Sequence, residues 1–188
     1  ESGDISGYHV GSDLRDAWIV KLSSTGDIQW QKCLGGSFLD CFTSIQQTTD
    51  GGYITAGYTS SNDGDLFGYR TSNAESDIWV VKLSNIGNIQ WQKCLGGSEE
   101  DESYASQSIQ QTTDGGYIVA GSTASNDGDV SGNHGSSDIW IVKFSNVGDI
   151  QWQKCLGGSS EEYEGYIQQT TDEGYIVTGT TMSNDGNI

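Results

Sequence analysis

One segment of 22 residues occurs three times almost unchanged, and no other feature restricts the fold as much. It reads DAWIVKLSSTGDIQWQKCLGGS at 16–37, DIWVVKLSNIGNIQWQKCLGGS at 77–98 and DIWIVKFSNVGDIQWQKCLGGS at 138–159. Successive copies start 61 residues apart. A period of this size marks a repeat architecture, in which a single unit cannot bury its own apolar faces and its neighbours must cover them. A second block lies between the copies: IQQTTDGGYITAG at 45–57, IQQTTDGGYIVAG at 109–121 and IQQTTDEGYIVTG at 167–179. Its spacings are 64 and 58 residues, and the differences fall in 99–108 and in the loop 129–138. The framework is therefore fixed and the loops vary, the usual division between scaffold and surface.

Each unit contains four short runs that read as strands. DAWIVKL at 16–22 is apolar and β-branched, and too short for a helix. IQWQKCL at 28–34 alternates, and a Gly-containing turn separates the two. Residues 44–49 and 53–59 form a third and fourth strand around Asp50, Gly51 and Gly52, a hairpin turn in which Gly supplies the positive φ. The pattern repeats at 77–83, 88–95, 108–113 and 116–122, and again at 138–144, 149–156, 166–171 and 174–180. In the third unit Glu173 takes a Gly position of the DGG turn, which weakens that turn without undoing it. No stretch holds a helical period. The expectation is an all-β chain of antiparallel hairpins forming one repeat domain, 1–188, with units at about 1–61, 62–125 and 126–188.

Composition excludes several functions. The 188 residues carry a net charge of −18, and six of the eight basic residues are the repeated Lys21, Lys32, Lys82, Lys93, Lys143 and Lys154. No basic patch is left for nucleic acid or an anionic membrane. No apolar run is long enough to span a bilayer as a helix. Cys33, Cys94 and Cys155 occupy one repeat position and should lie too far apart to pair with one another. Cys33 and Cys41 are the one pairing left open. No Cys/His metal spacing is present. The chain starts at Glu1 without a signal-peptide pattern, and both ends fall in the same long loop, as expected of a piece cut from a longer array.

The segments DIWVVKLSNIGNIQWQKCLGGS and SIQQTTDGGYIVAGSTASNDGDVSG resemble the β-propeller repeats of secreted and surface proteins of bacteria and archaea, the class called SBBP-type repeats. The resemblance covers essentially the whole chain. It implies four-stranded antiparallel blades with the SIQQT strand innermost, followed outward by the YIVAG, DIWVVKL and IQWQK strands. It also implies an extracellular or cell-surface location, and it carries no shared catalytic residues. On that frame the chain holds three blades and is cut between half-blades. Strands at 16–22 and 28–34 are an outer half, and strands at 166–171 and 174–180 are an inner half. Closed propellers have about four to eight blades, so pairing of these halves between copies, in a ring or a filament, is expected over a self-closed monomer.

Three groups of residues are candidates for sites. Trp18, Trp79 and Trp140 recur in one strand type, and Trp30, Trp91 and Trp152 in the next. Such rings serve either as packing between units or as platforms for glycans. Their strict repetition favours a structural role. The loops with Asn62, Asp63, Gly64 and Asp65, with Asn126, Asp127, Gly128 and Asp129, and with Asn184, Asp185, Gly186 and Asn187 cluster oxygen ligands. Asp63, Asp65, Asp127, Asp129 and Asp185 thus become candidate calcium ligands, against their ordinary use in turns. The acidic runs at 99–102 and 161–164 suggest paired carboxylates, but the first unit lacks the pair, and solvated loops are expected there. His9 and His134 are not repeat-equivalent and sit near no nucleophile motif. The expected function is a non-catalytic binding or scaffolding module without a required cofactor. Other copies of the chain, and alternatively glycans, are its expected partners.

Overall fold

A computed structural model describes residues 15–66, 68, 76–101 and 108–187, with Glu164 described by its backbone alone. The loop expected before residue 15, His9 and Glu102 lie outside the described residues. The chain is all-β, and no helix occurs among the described residues. The described residues form twelve strands: β1 (Ala17–Leu22), β2 (Ile28–Leu34), β3 (Asp40–Gln47), β4 (Tyr53–Thr59), β5 (Asp77–Leu83), β6 (Ile89–Leu95), β7 (Ser108–Gln111), β8 (Tyr117–Thr123), β9 (Asp138–Phe144), β10 (Ile150–Leu156), β11 (Glu162–Gln169) and β12 (Tyr175–Thr181). Among the described residues no helix is long and apolar enough to cross a membrane.

Among the described residues these strands form two sheets of four, β3-β4-β5-β6 and β7-β8-β9-β10, and two sheets of two, β1-β2 and β11-β12. All their ladders are antiparallel. Sheet order follows chain order, so the 61-residue repeat does not coincide with a sheet. Each complete sheet instead takes its two inner strands from the IQQTTDGGY block and its two outer strands from the next D-x-W-x-V-K block.

The strand positions match the hydrophobic pattern, with one systematic difference. β3 and β11 start at Asp40 and Glu162, ahead of the expected 44 and 166. Their register shifts between Phe42 and Ser44 and between Tyr163 and Tyr166. A bulge absorbs an extra residue and lets the ladder continue, but it breaks the alternation by which a strand is recognised in sequence.

The apolar core lies between successive sheets rather than within any of them. One cluster joins Ala17, Ile19 and Leu34 of the first pair to Trp79, Val81 and Leu83. Another joins Ile78, Val80 and Leu95 to Trp140, Val142 and Phe144. A third joins Ile139 and Ile141 to Ile167, with Val177 against it. The inner strands are also tied directly. Gln111 N donates to Gln46 Oε1 at 2.6 Å, and Gln169 N donates to Gln110 Oε1 at 2.9 Å. The repeated Gln pair therefore stitches each inner strand to the next unit, giving side-chain acceptors to amides that a neighbouring strand does not serve.

Turn chemistry follows the sequence. Gly51 and Gly115 both adopt φ +81°, and Glu173 adopts φ +67° at the same position. A side chain at positive φ is strained by contact between Cβ and the following carbonyl, so the third hairpin keeps its shape at a local cost.

Candidate functional site

Three acidic residues anchor the junctions between sheets. Asp40, Asp101 and Glu162 are all buried, although the acidic runs around Asp101 and Glu162 read as solvated loops in the sequence. The burial has a physical basis in their hydrogen bonds. Asp101 Oδ2 accepts from Gly97 N at 2.5 Å and Ser125 Oγ at 2.8 Å, and Oδ1 accepts from Thr123 Oγ1. Asp40 accepts in the same way from Gly36 N, Thr59 and Ser61. Glu162 accepts from Gly158 N, Thr181 and Ser183 N. Burial pushes the Asp40 and Asp101 carboxyls up, partly offset by these donors. For Glu162 burial also pushes up, but the donors Thr181, Ser183 and Gly158 N–H together hold the group below its ordinary value. A sequence signal for this latch did exist, since residues 40, 101 and 162 are acidic and 61 apart, the same period as the Trp residues.

The Asn-Asp-Gly loops pack against the Gly-Gly-Ser segments. Asp63 Oδ1 accepts from Ser37 N at 2.6 Å, Asp127 Oδ1 from Ser98 N at 2.7 Å and Asp185 Oδ1 from Ser159 N at 2.8 Å. The Ser159 N–H holds the Asp185 carboxyl below its ordinary value. Asp65 Oδ2 accepts from Gly35 N at 3.3 Å, Asp65 N donates to Gly35 O at 2.9 Å, and Asp129 N donates to Gly96 O at 3.0 Å. Gly64 and Gly128, at φ +66° and +64°, lie so close to the backbone of Gly35, Gly36, Gly96 and Gly97 that a Cβ would collide with it. The five Asp residues named as calcium candidates thus fall into three separate loops. Among the described residues no group of three or more His, Cys, Asp or Glu side chains is placed to hold a metal ion.

The Trp residues divide by their position in the chain. Trp79 and Trp140 are fully buried, and their Nε1 donates to Gln92 at 2.9 Å and Gln153 at 2.7 Å. Trp18 makes the equivalent bond to Gln31 at 3.0 Å but is 47 % exposed. In the second set Trp30 and Trp91 are half-buried against Tyr53 and Tyr117, and Trp152 is exposed and packs edge-on against Tyr175 at 5.7 Å. The same division affects the inner strands. Ile45 is 51 % exposed while Ile109 and Ile167 are buried, and Ile176 is 57 % exposed while Ile54 and Ile118 are buried.

A Lys ties the inner half of each complete sheet to its outer half. Lys82 Nζ lies 2.9 Å from Asp50 Oδ2 and also donates to Leu83 O and Gln90 Oε1. Lys143 does the same with Asp114 at 2.8 Å, Phe144 O and Gln151. Hydrogen bonds from Thr48 and from Lys82 hold Asp50 at about 2, and bonds from Lys143 and Thr112 hold Asp114 at about 2. The third Lys, Lys21, donates to Leu22 O at 2.7 Å. The third Asp, Asp172, accepts from Thr170 Oγ1 and Gly174 N, and those bonds hold it low.

Two cavities flank the half-sheets. One of about 200 Å³ lies beside β1 and is lined by Trp18, Val20, Phe42 and Ile45 among others. The other, of about 170 Å³, lies beside β12 and includes Ile139, Leu156, Gly157 and Gly179 in its wall. Cys33, Cys41, Cys94 and Cys155 are all free thiols. Burial pushes Cys94 and Cys155 up to about 12, with nearby Asp residues adding to the shift, so neither is a nucleophile at neutral pH. His134 Nδ1 lies 2.6 Å from Asp138 Oδ2 in a loop contact. Compared with known proteins, the chain matches no family model, and a search of curated proteins gives no match.

Proposed function

We propose that the chain is a non-catalytic structural and binding module of propeller type, working outside the cell or at its surface and completed by other copies of itself. One observation carries this reading. The two-stranded sheets at the chain's ends are different halves of one four-stranded sheet: β1-β2 corresponds to β5-β6, and β11-β12 to β3-β4. Among the described residues each half is two strands wide where the complete sheets are four, and it carries exposed apolar side chains such as Trp18 and Ile176, an arrangement that soluble proteins ordinarily cover. Two copies that exchange halves would form six complete sheets, within the usual range for a closed propeller. The same contact repeated without closure would form a filament. Employment of the recurrent carboxylates as hydrogen-bond acceptors for backbone and hydroxyl groups supports a structural role over a catalytic one.

The exposed rings of Trp18 and Trp152 favour a second reading, that of a carbohydrate-binding module. Light scattering over a micromolar concentration series distinguishes the two. Assembly predicts masses at multiples of 20.2 kDa, and a compact species of one chain at every concentration contradicts it. Binding on a glycan array that Trp152→Ala abolishes would support the second reading.

A further inference from the structure

Two junctions between successive sheets are closed at their outer ends by one contact, an indole against a hairpin turn. Trp30 on β2 lies against the turn between β5 and β6, so close that a Cβ on Gly87 would come within 3.0 Å of its ring. Trp91 on β6 lies in the same way against the turn between β9 and β10, 2.9 Å from the corresponding point on Gly148. Both glycines are buried and both indoles half-buried. The chain carries the two components of this contact once more, far apart in sequence. Trp152 on β10 keeps Tyr175 as its ring partner at 5.7 Å, as Trp30 and Trp91 keep Tyr53 and Tyr117 at 5.6 Å, yet it is 40 % exposed. Gly26, in the turn between β1 and β2, is exposed, and among the described residues nothing lies within 4 Å of its Cβ position. That turn already has the shape of the other two. Ser23 N donates to Asp27 O at 2.8 Å, as Ser84 N does to Asn88 O and Ser145 N to Asp149 O. Gly26 adopts φ +88°, beside +78° at Gly87 and +84° at Gly148.

We infer that Trp152 of one copy and the turn at 23–27 of a second copy make this contact between chains, with Gly26 lying on the indole. The inference rests on the assembly reading above and names the surfaces that meet. An exposed indole and a turn with no side chain at its contact point are the same pair that is buried twice within the chain, so their shapes match before they meet. The inner strands extend the same series. Gln111 N donates to Gln46 Oε1 at 2.6 Å while Thr49 N donates to Gln111 Oε1 at 2.8 Å. Gln169 repeats both bonds with Gln110 and Thr113, each at 2.9 Å. One sheet further along, the series pairs Gln47 of the second copy with Gln168 and Thr171 of the first, and all three residues are exposed. One contact belongs to the outer strands and the other to the inner strands, so together they fix the orientation of the second copy. The partner is therefore another copy of this chain, presenting its β1-β2 hairpin and β3 in a head-to-tail contact.

Gly26→Asn tests the contact. Asn tolerates positive φ better than most side chains, so the variant should keep the turn and the parental far-UV spectrum, while its side chain stands where the indole must lie. Its association should weaken by roughly tenfold or more in sedimentation velocity, as expected when a Trp anchor is displaced. Trp152→Ala should weaken association to a similar degree. Hydroxyl-radical footprinting reads the same contact in the unaltered protein, where oxidation of Trp152 should fall severalfold as the copies associate. If the parent assembles with Trp152 as reactive as in the single chain, the contact is wrong while assembly itself stands. Association of Gly26→Asn equal to that of the parent would overturn it in the same way. If the parent stays a single chain throughout, the assembly reading falls and the inference with it.

Discussion

The middle of the molecule and its ends use the same sequence to different effect. β5 and β9 are buried along their whole length, whereas β1, with nearly the same residues, exposes Trp18 and Leu22. β4 and β8 are buried almost throughout, whereas most of β12 is exposed. The local code DxWxVKL thus specifies a strand and its pairing register, and burial depends on the strand and sheet that happen to lie alongside. Among the described residues the end sheets are two strands wide and the middle sheets four, although alternation and turn chemistry are the same in both.

The largest effect should come from the buried indoles. Trp79→Ala should destabilise the chain by about 3–5 kcal/mol, as large truncations in a core do, measured by chemical denaturation. Trp18→Ala, measured under dilute conditions where chains are single, should cost less than about 1 kcal/mol. Equal costs at the two positions would end the distinction between middle and ends.

The carboxylate latch should come next. Asp101→Ala leaves the hydroxyls of Thr123 and Ser125 and the Gly97 N–H without their acceptor, and should cost about 2–3 kcal/mol. A loss well under 1 kcal/mol would return Asp101 to the role of a solvated loop residue. The acid limb of stability should follow from Asp50 and Asp114. Both carboxyls are held at about 2, below the ordinary value near 4. Their contribution is fully present above about pH 4 and is lost as pH falls toward 2. Asp40 and Asp101, pushed up by burial, act in the opposite sense, because their cost appears as pH rises past the ordinary carboxylate value. Asp114→Asn should therefore flatten the fall in melting temperature between pH 4 and 2. The ionised Asp114 contributes at most about 1 kcal/mol, because it is partly exposed and screened.

Two smaller effects sharpen the account. Glu173→Gly should raise stability by about 1 kcal/mol, by relieving a side chain at positive φ, and the same change should restore equality between the third hairpin and the other two. Asp127→Ala should loosen one loop by about 1 kcal/mol through the lost acceptor for Ser98 N–H. Millimolar calcium should leave the melting temperature unchanged in parent and variant alike. A calcium-dependent rise present only in the parent would make the loop a cation site.

Much of this was legible in the sequence, for identifiable reasons. Alternation in IQWQKCL and the DGG turns located the strands, and the offset of the two blocks located the half-sheets. The early starts of β3 and β11 were not legible, because the bulges after Phe42 and Tyr163 break the period of two. The burial of Asp101 and Glu162 was missed because neighbouring acids made both look solvated, and their partners Thr123 and Thr181 lie some twenty residues away. The exposure of Trp18 is a property of the sheet beside it, which no local pattern encodes.

Backbone amide exchange on β12, compared with β8 of the same molecule, tests the central claim most directly. The amides from Ile118 to Ser122 are covered on both sides in the complete sheet and should exchange slowly at all concentrations. Those from Ile176 to Gly179 should exchange more rapidly when the chains are dilute and become protected as the chains associate through their half-sheets. Rapid exchange along β12 in fully assembled protein would contradict the account, because copies would then be joined through some other surface.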